Sequence, residues 1–110
     1  MKKILLLFFL FFSFLASAQQ KLLIKGSIMG EENQAMPFAT VNLLNPRDSS
    51  VVGNQLSGED GSFAFQNLVR QDYLLKISVL GYISAFRLVV FDKQETIDVG
   101  KIGIKLTLST

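Results

Sequence analysis

The sequence predicts an exported all-β domain, a sandwich or barrel of seven strands behind a cleaved leader. Three observations predict it. The N-terminal apolar run is too short to span a bilayer, and the rest of the chain alternates apolar and polar residues in period two. Turn residues break that alternation about every 8–12 positions. Helical periodicity is almost absent after residue 18.

The leader comes first. "MKK" is a positive start, Ile4 to Leu15 is an apolar run of 12 residues, and "ASA" ends at Ala18. A spanning helix needs roughly 20 apolar residues, so residues 1–18 read as a secretory signal peptide and the domain as residues 19–110, beginning at Gln19. No cysteine follows, which excludes a lipid-modified bacterial N-terminus, disulfides and thiol chemistry alike. Without Lys2 and Lys3 the chain carries nine basic and nine acidic residues, interspersed. No basic stripe is left to track phosphates, so nucleic acid is not an expected partner. The 110 residues less 18 leave 92, one domain burying about two-thirds of its unfolded surface.

The strands follow in order. "KLLIKGSIM" (21–29) sets Leu22, Ile24, Gly26 and Ile28 against Leu23, Lys25, Ser27 and Met29. "GEENQAMP" (30–37) is a loop closed by proline. "FATVNLLN" (38–45) places Ala39, Val41 and Leu43 on one face, and "PRDSS" (46–50) is a turn whose Asp and Ser can bind nearby backbone donors. "VVGNQLS" (51–57), with Gly53 and Asn54 inside it, reads as an edge or bulged strand. In "GEDGSFAF" (58–65), Gly58, Asp60 and Gly61 form the turn residues of an expected hairpin, and Phe63 and Phe65 enter the core.

"YLLKISVLG" (73–81) is the clearest strand, with Tyr73, Leu75, Ile77 and Val79 on one face. Gly81 is the expected turn residue that ends it. "ISAFRLVVF" (83–91) follows, its Phe86, Leu88 and Val90 expected inward. In "TIDVGKIGIKLTLS" (96–109) the apolar set shifts phase, from 97 and 99 to 102, 104, 106 and 108. One extra residue is needed there, and Gly100 is where a β-bulge is tolerated.

The chemistry is defined by missing residue types. With no histidine, cysteine or tryptophan, the chain can build no serine–histidine triad, cysteine–histidine pair or histidine-ligated zinc site. Glu59 and Asp60 are adjacent on a turn tip, whereas glycosidase carboxylates stand about 5–10 Å apart across a cleft. Glu59 and Asp60, with Glu31, Glu32 or Asp92, could offer calcium hard oxygen ligands, yet they lack EF-hand spacing and a solvated turn explains them. No catalytic residue, metal site or cofactor is expected. Met29, Phe38, Leu44, Leu74 and Leu80 point away from the expected core, and Phe38, Leu44, Leu74 and Leu80 are the candidate interface.

The order of motifs carries a resemblance. "IKGSIMGEENQAMPFATVNLLN", "SGEDGSFAFQNL" and "YLLKISVLGY" place Gly26, Pro37 to Val41, Asp60-Gly61-Ser62-Phe63, Tyr73 and Gly81-Tyr82 in series. This resembles the carboxypeptidase regulatory-like domain over about residues 22–108. Two departures stand out: "RQDY" replaces a glycine-containing approach to the tyrosine, and Ser57-Gly58 replaces a threonine. The resemblance implies a seven-stranded transthyretin-like, immunoglobulin-like β-sandwich. It also implies a non-enzymatic accessory module of the kind found as the N-terminal extension of Bacteroidetes TonB-dependent receptors and related outer-membrane barrels. Its place would be the periplasm or the periplasmic face of the outer membrane, and its partner a receptor or barrel component, in cis if the chain is a piece of one. The alternative is a stand-alone periplasmic module binding carbohydrate or peptide.

Overall fold

The computed structural model describes residues 22–107. The signal peptide, the start at Gln19 and the last residues of the final expected strand lie outside them. Nine strands form: β1 (Leu22–Met29), β2 (Thr40–Leu44), β3 (Val51–Leu56), β4 (Ser62–Leu68), β5 (Tyr73–Ser78), β6 (Tyr82–Ile83), β7 (Ala85–Val89), β8 (Thr96–Gly103) and β9 (Lys105–Leu106). Seven of them make two sheets, ordered β4-β1-β8 and β3-β2-β5-β7, and β6 pairs with β9 in a short ribbon. This is the all-β sandwich that the alternation predicts.

Alternation decides what each sheet buries. Leu22, Ile24 and Ile28 of β1, Phe63 and Phe65 of β4, and Ile102 of β8 face inward from the first sheet. Val41 and Leu43, then Tyr73, Leu75 and Ile77, then Val89 meet them from the second. Aromatic pairs tighten the core. The Phe63 and Phe65 centroids lie 6.2 Å apart at 59°, and Tyr73 and Phe91 meet edge-on at 6.2 Å and 87°. Such tilted contacts add about 0.5–1.5 kcal/mol each beyond area burial. The Tyr73 hydroxyl donates to the Val69 carbonyl oxygen at 2.8 Å, satisfying its one polar atom in the way of a tyrosine corner. Within "RQDY", Arg70 Nη1 donates to the carbonyl oxygens of Asp92 and Gln94, so a side chain of this turn ties it to the 92–95 turn across the fold.

The phase slip in the last long strand is a bulge at Gly100. β1 and β8 run parallel, and their register jumps from Lys25↔Asp98 to Ser27↔Lys101. Gly100 has φ +73°, and its N–H is held by Asp98 Oδ1 at 2.8 Å. The jump lets Ile97 and Val99 pack on the core, then Ile102 and Ile104. β3 is an edge strand with a register shift opposite Leu43 and Leu44, as Gly53 and Asn54 predict. The 46–50 turn closes through Asp48 Oδ1, which accepts from the N–H and hydroxyl of Ser50.

Two expectations are corrected. Residues 58–61 do not form a hairpin, because β3 pairs with β2 while β4 pairs with β1 in the other sheet. The turn is a corner that carries the chain between sheets. Phe86, Leu88 and Val90 face outward, while Val89 and Phe91 are buried. The cause is register: β7 sets Val89 opposite Tyr73 and Ala85 opposite Ile77, both on the core face, so the even positions go to solvent. Arg87 shares the inner phase but lies on an edge strand, and its Nη1 reaches out to the Val99 carbonyl oxygen at 3.5 Å.

One buried polar residue fastens the corner to the loop before β2. Ser57 is 1% exposed. Its Oγ accepts from the Ala39 N–H at 2.8 Å and donates to the Met36 carbonyl oxygen at 2.7 Å. Its own N–H donates to Ala39 O and its carbonyl accepts from the Phe38 N–H. The hydroxyl meets two backbone groups that sheet pairing leaves over.

Candidate interaction surface

The four expected interface residues fall into two separate pairs. Leu44 and Leu74 are directly opposite in the β2–β5 ladder, on the outer face of the four-stranded sheet. Phe38 and Leu80 lie at the far end of the same two strands, two positions beyond the Thr40↔Ser78 pair. They are 67% and 100% exposed. Phe38 also has φ +59°, a left-handed conformation that a bulky side chain rarely adopts. Leu44 corrects its expectation of exposure: it is 7% exposed, yet stands apart from the hydrophobic core cluster. Flanked by Leu74 on one side and Val51 on the other, it is covered from its own face of the sheet.

That row extends further than the sequence suggested. Leu74 is opposite Leu88 on β7, so Leu44, Leu74 and Leu88 form one cross-strand line. Phe86, opposite Lys76, borders it. Phe86 and Leu88 are each 57% exposed. Four apolar side chains therefore lie together on the outer face of one sheet. The reading of 83–91 missed two of them because both phases of that segment are apolar.

The expected turn residues serve the corner. Gly58 N–H donates to Ser62 O and Gly61 N–H to Gly58 O, both at 2.9 Å. Asp60 Oδ1 accepts from the Ser62 hydroxyl at 2.6 Å and its N–H at 3.0 Å. The hydroxyl, then the N–H, hold the Asp60 carboxyl below the usual carboxylate range. Gly61 has φ +82°, and a Cβ there would collide with the Ile28 carbonyl oxygen. Gly81, at φ +86°, turns the chain from β5 into β6. Asp60 is thus occupied by its own turn. Among the described residues no three carboxylates are grouped closely enough to hold a metal ion.

At the other sheet, Lys25, Ser27, Ser62, Asp98 and Lys101 line an open groove of about 730 Å³ together with Leu56 and Phe63. Among the described residues no helix is long and apolar enough to cross a membrane, which says nothing of strands.

No protein-family model and no curated protein matches the chain. Solved structures with the same fold do. The minor pilin GBS52 of Streptococcus agalactiae superposes with a TM-score of 0.65 at 16% identity, over 83% of this chain and 47% of that one. The Bacillus anthracis TIE protein gives 0.63 at 16% identity, over 80% and 17%. The 3-chlorocatechol 1,2-dioxygenase of Rhodococcus opacus 1CP gives 0.61 at 12% identity, over 82% and 61%. The chain spans less than two thirds of each of these proteins. Pilins and an oxygenase share this sandwich, so the likeness is one of fold.

Proposed function

We propose that this chain is an exported, non-enzymatic β-sandwich module that docks through the outer face of its four-stranded sheet. The observation that carries this reading is the line Leu44–Leu74–Leu88 with Phe86 beside it, apolar side chains on the solvent side of a sheet whose other side already packs the core. An apolar cluster at such a place is commonly a contact surface. The signal-peptide pattern of residues 1–18 and the motif series from Gly26 to Tyr82 support a place at the periplasmic face of the outer membrane. They favour the role of an N-terminal extension of a TonB-dependent receptor or related barrel. The open groove of mixed polar and apolar lining beside Lys25 and Lys101 supports a second reading, a stand-alone module taking a carbohydrate or peptide ligand.

The test has two parts. Cell fractionation with intact-mass analysis is expected to find the species carrying the peptide that begins at Gln19 in the outer membrane. A photo-crosslinking residue in place of Leu74 is expected to capture a receptor or barrel component there. A soluble species capturing nothing at Leu74, but retained on a glycan or peptide array through Lys25 and Lys101, would replace this reading with the second.

A further inference from the structure

The groove at the three-stranded sheet is shaped by side-chain size and by the bulge. β1 sets Lys25 opposite Ala64 and Asp98, and Ser27 opposite Ser62 and Lys101. Small residues therefore make a low floor, and the two lysines stand beside it. The bulge is what brings Lys101 there. In unbroken alternation position 101 would share the inward phase of Ile97 and Val99, but the extra residue at Gly100 turns it outward and leaves it exposed, like Lys25. Bulges commonly re-aim a side chain in this way beside functional sites. Neither lysine has an ion-pair or hydrogen-bond partner among the described residues. Asp98 is the one acid among the described lining residues, and its Oδ1 accepts from the Gly100 N–H at 2.8 Å. The groove thus carries a net positive charge.

Backbone pairing narrows the ligand. β1 is paired on both sides, by β4 and β8. On the free edge of β4, the Ala64 N–H is taken by Gln55 Oε1 at 2.7 Å. An extended peptide that adds to a sheet edge through its main chain finds that position filled. Recognition falls to side chains: the Ser27 hydroxyl, two ammonium groups and the exposed apolar wall of Leu56. These suit a hydroxylated ring that carries an anionic group. We infer that this groove binds an acidic polysaccharide, its carboxylates held by Lys25 and Lys101 and its rings lying over Ser27, Ser62 and Ala64. This rests on the second reading above, of the groove as a ligand site, and names the ligand class. The two lysines lie on adjacent strands two positions apart, about 5 Å across and about 7 Å along, within reach of one short stretch of chain. Exposed ion pairs are individually weak, so binding is weak and falls as salt rises.

Titration of the exported protein with oligogalacturonate, followed by amide NMR, is expected to shift Ser27, Ala64 and Gly100 saturably. Fully methyl-esterified oligogalacturonate, the same chain without its charge, should bind at least about fivefold more weakly. Lys25→Gln and Lys101→Gln should each weaken binding about two- to fivefold, and together by more. Lys76→Gln removes the same charge from the outer face of the other sheet and should leave binding unchanged. Circular dichroism checks that each variant folds. Equal binding of the ester, or of an oligoglutamate peptide, with the same amides moving, overturns the acidic-saccharide assignment while the groove stands as a ligand site. Weakening by Lys76→Gln equal to that of the double variant, or no shift with any of the three ligands to about 10 mM, overturns the groove reading as well. Capture at Leu74 is decided separately from either result.

Discussion

Replacing Ser57 by alanine should be the most damaging one-atom change in the protein. The hydroxyl accepts from the Ala39 N–H and donates to the Met36 carbonyl oxygen. Each such bond is worth about 0.5–1.5 kcal/mol net, and a buried donor left unpaired costs about 1–3 kcal/mol. Ala39 is fully buried, so no water can replace the lost acceptor. The expected loss is about 2–4 kcal/mol, against a typical total of about 5–15. For a domain of this size that lowers Tm by roughly 10–25 °C. Urea unfolding followed by far-ultraviolet circular dichroism measures it, with Ser57→Thr as the control that keeps the hydroxyl. Amide exchange at Ala39 should accelerate in the alanine variant and not in the threonine one. A loss under about 1 kcal/mol, or equal losses for both variants, would refute the reasoning. The corner would then be held by its backbone bonds alone.

Other outcomes follow from the same geometry. Gly61→Ala forces a side chain into a left-handed conformation and onto the Ile28 carbonyl, and should cost at least about 2 kcal/mol in the same unfolding assay. Tyr73→Phe removes the bond to Val69, whose own side chain is exposed, so the freed carbonyl can be hydrated and the loss should stay near 1 kcal/mol. Burial raises the Tyr73 hydroxyl above the ordinary tyrosine value. Its stabilisation is therefore complete below about pH 10 and lost as pH rises through the raised value. A thermal-melt series above pH 10 should fall for the native chain, and Tyr73→Phe should lack that contribution. Phe38→Gly relieves a left-handed aromatic and should stabilise the domain by about 0.5–1 kcal/mol. A loss above about 1 kcal/mol would mean that its ring packs after all.

Much of the fold was legible where a local rule had one solution. The apolar phase change between Val99 and Ile102 demanded an extra residue, and only Gly100 offered the conformation, so the bulge was readable. Residues 83–91 had two solutions, since Ala85, Val89 and Phe91 compete with Phe86, Leu88 and Val90. The cross-strand partners on β5 made the choice, and these are distant in sequence. Asp60-Gly61 announced a tight turn but not its setting, because the same local bonds suit a hairpin and a corner between sheets. For the candidate surface, Leu44 and Leu74 were readable as outward. Their continuation through Leu88 depended on the phase that local pattern leaves open.

The central place of β1 has a consequence for how the protein is made. β1 lies between β4 and β8, and Leu23 sits beside Thr96, far along the chain. Until β8 has emerged, β1 lacks one of its two neighbours, and Ile102 and Ile104 are missing from the core. Bringing such distant segments together is slow, of the order of milliseconds to seconds for β-sandwiches. The sandwich therefore cannot close before the segment 96–103 has joined it. Delayed closure of this kind leaves the first strand extended and half-paired until nearly the whole domain has been made.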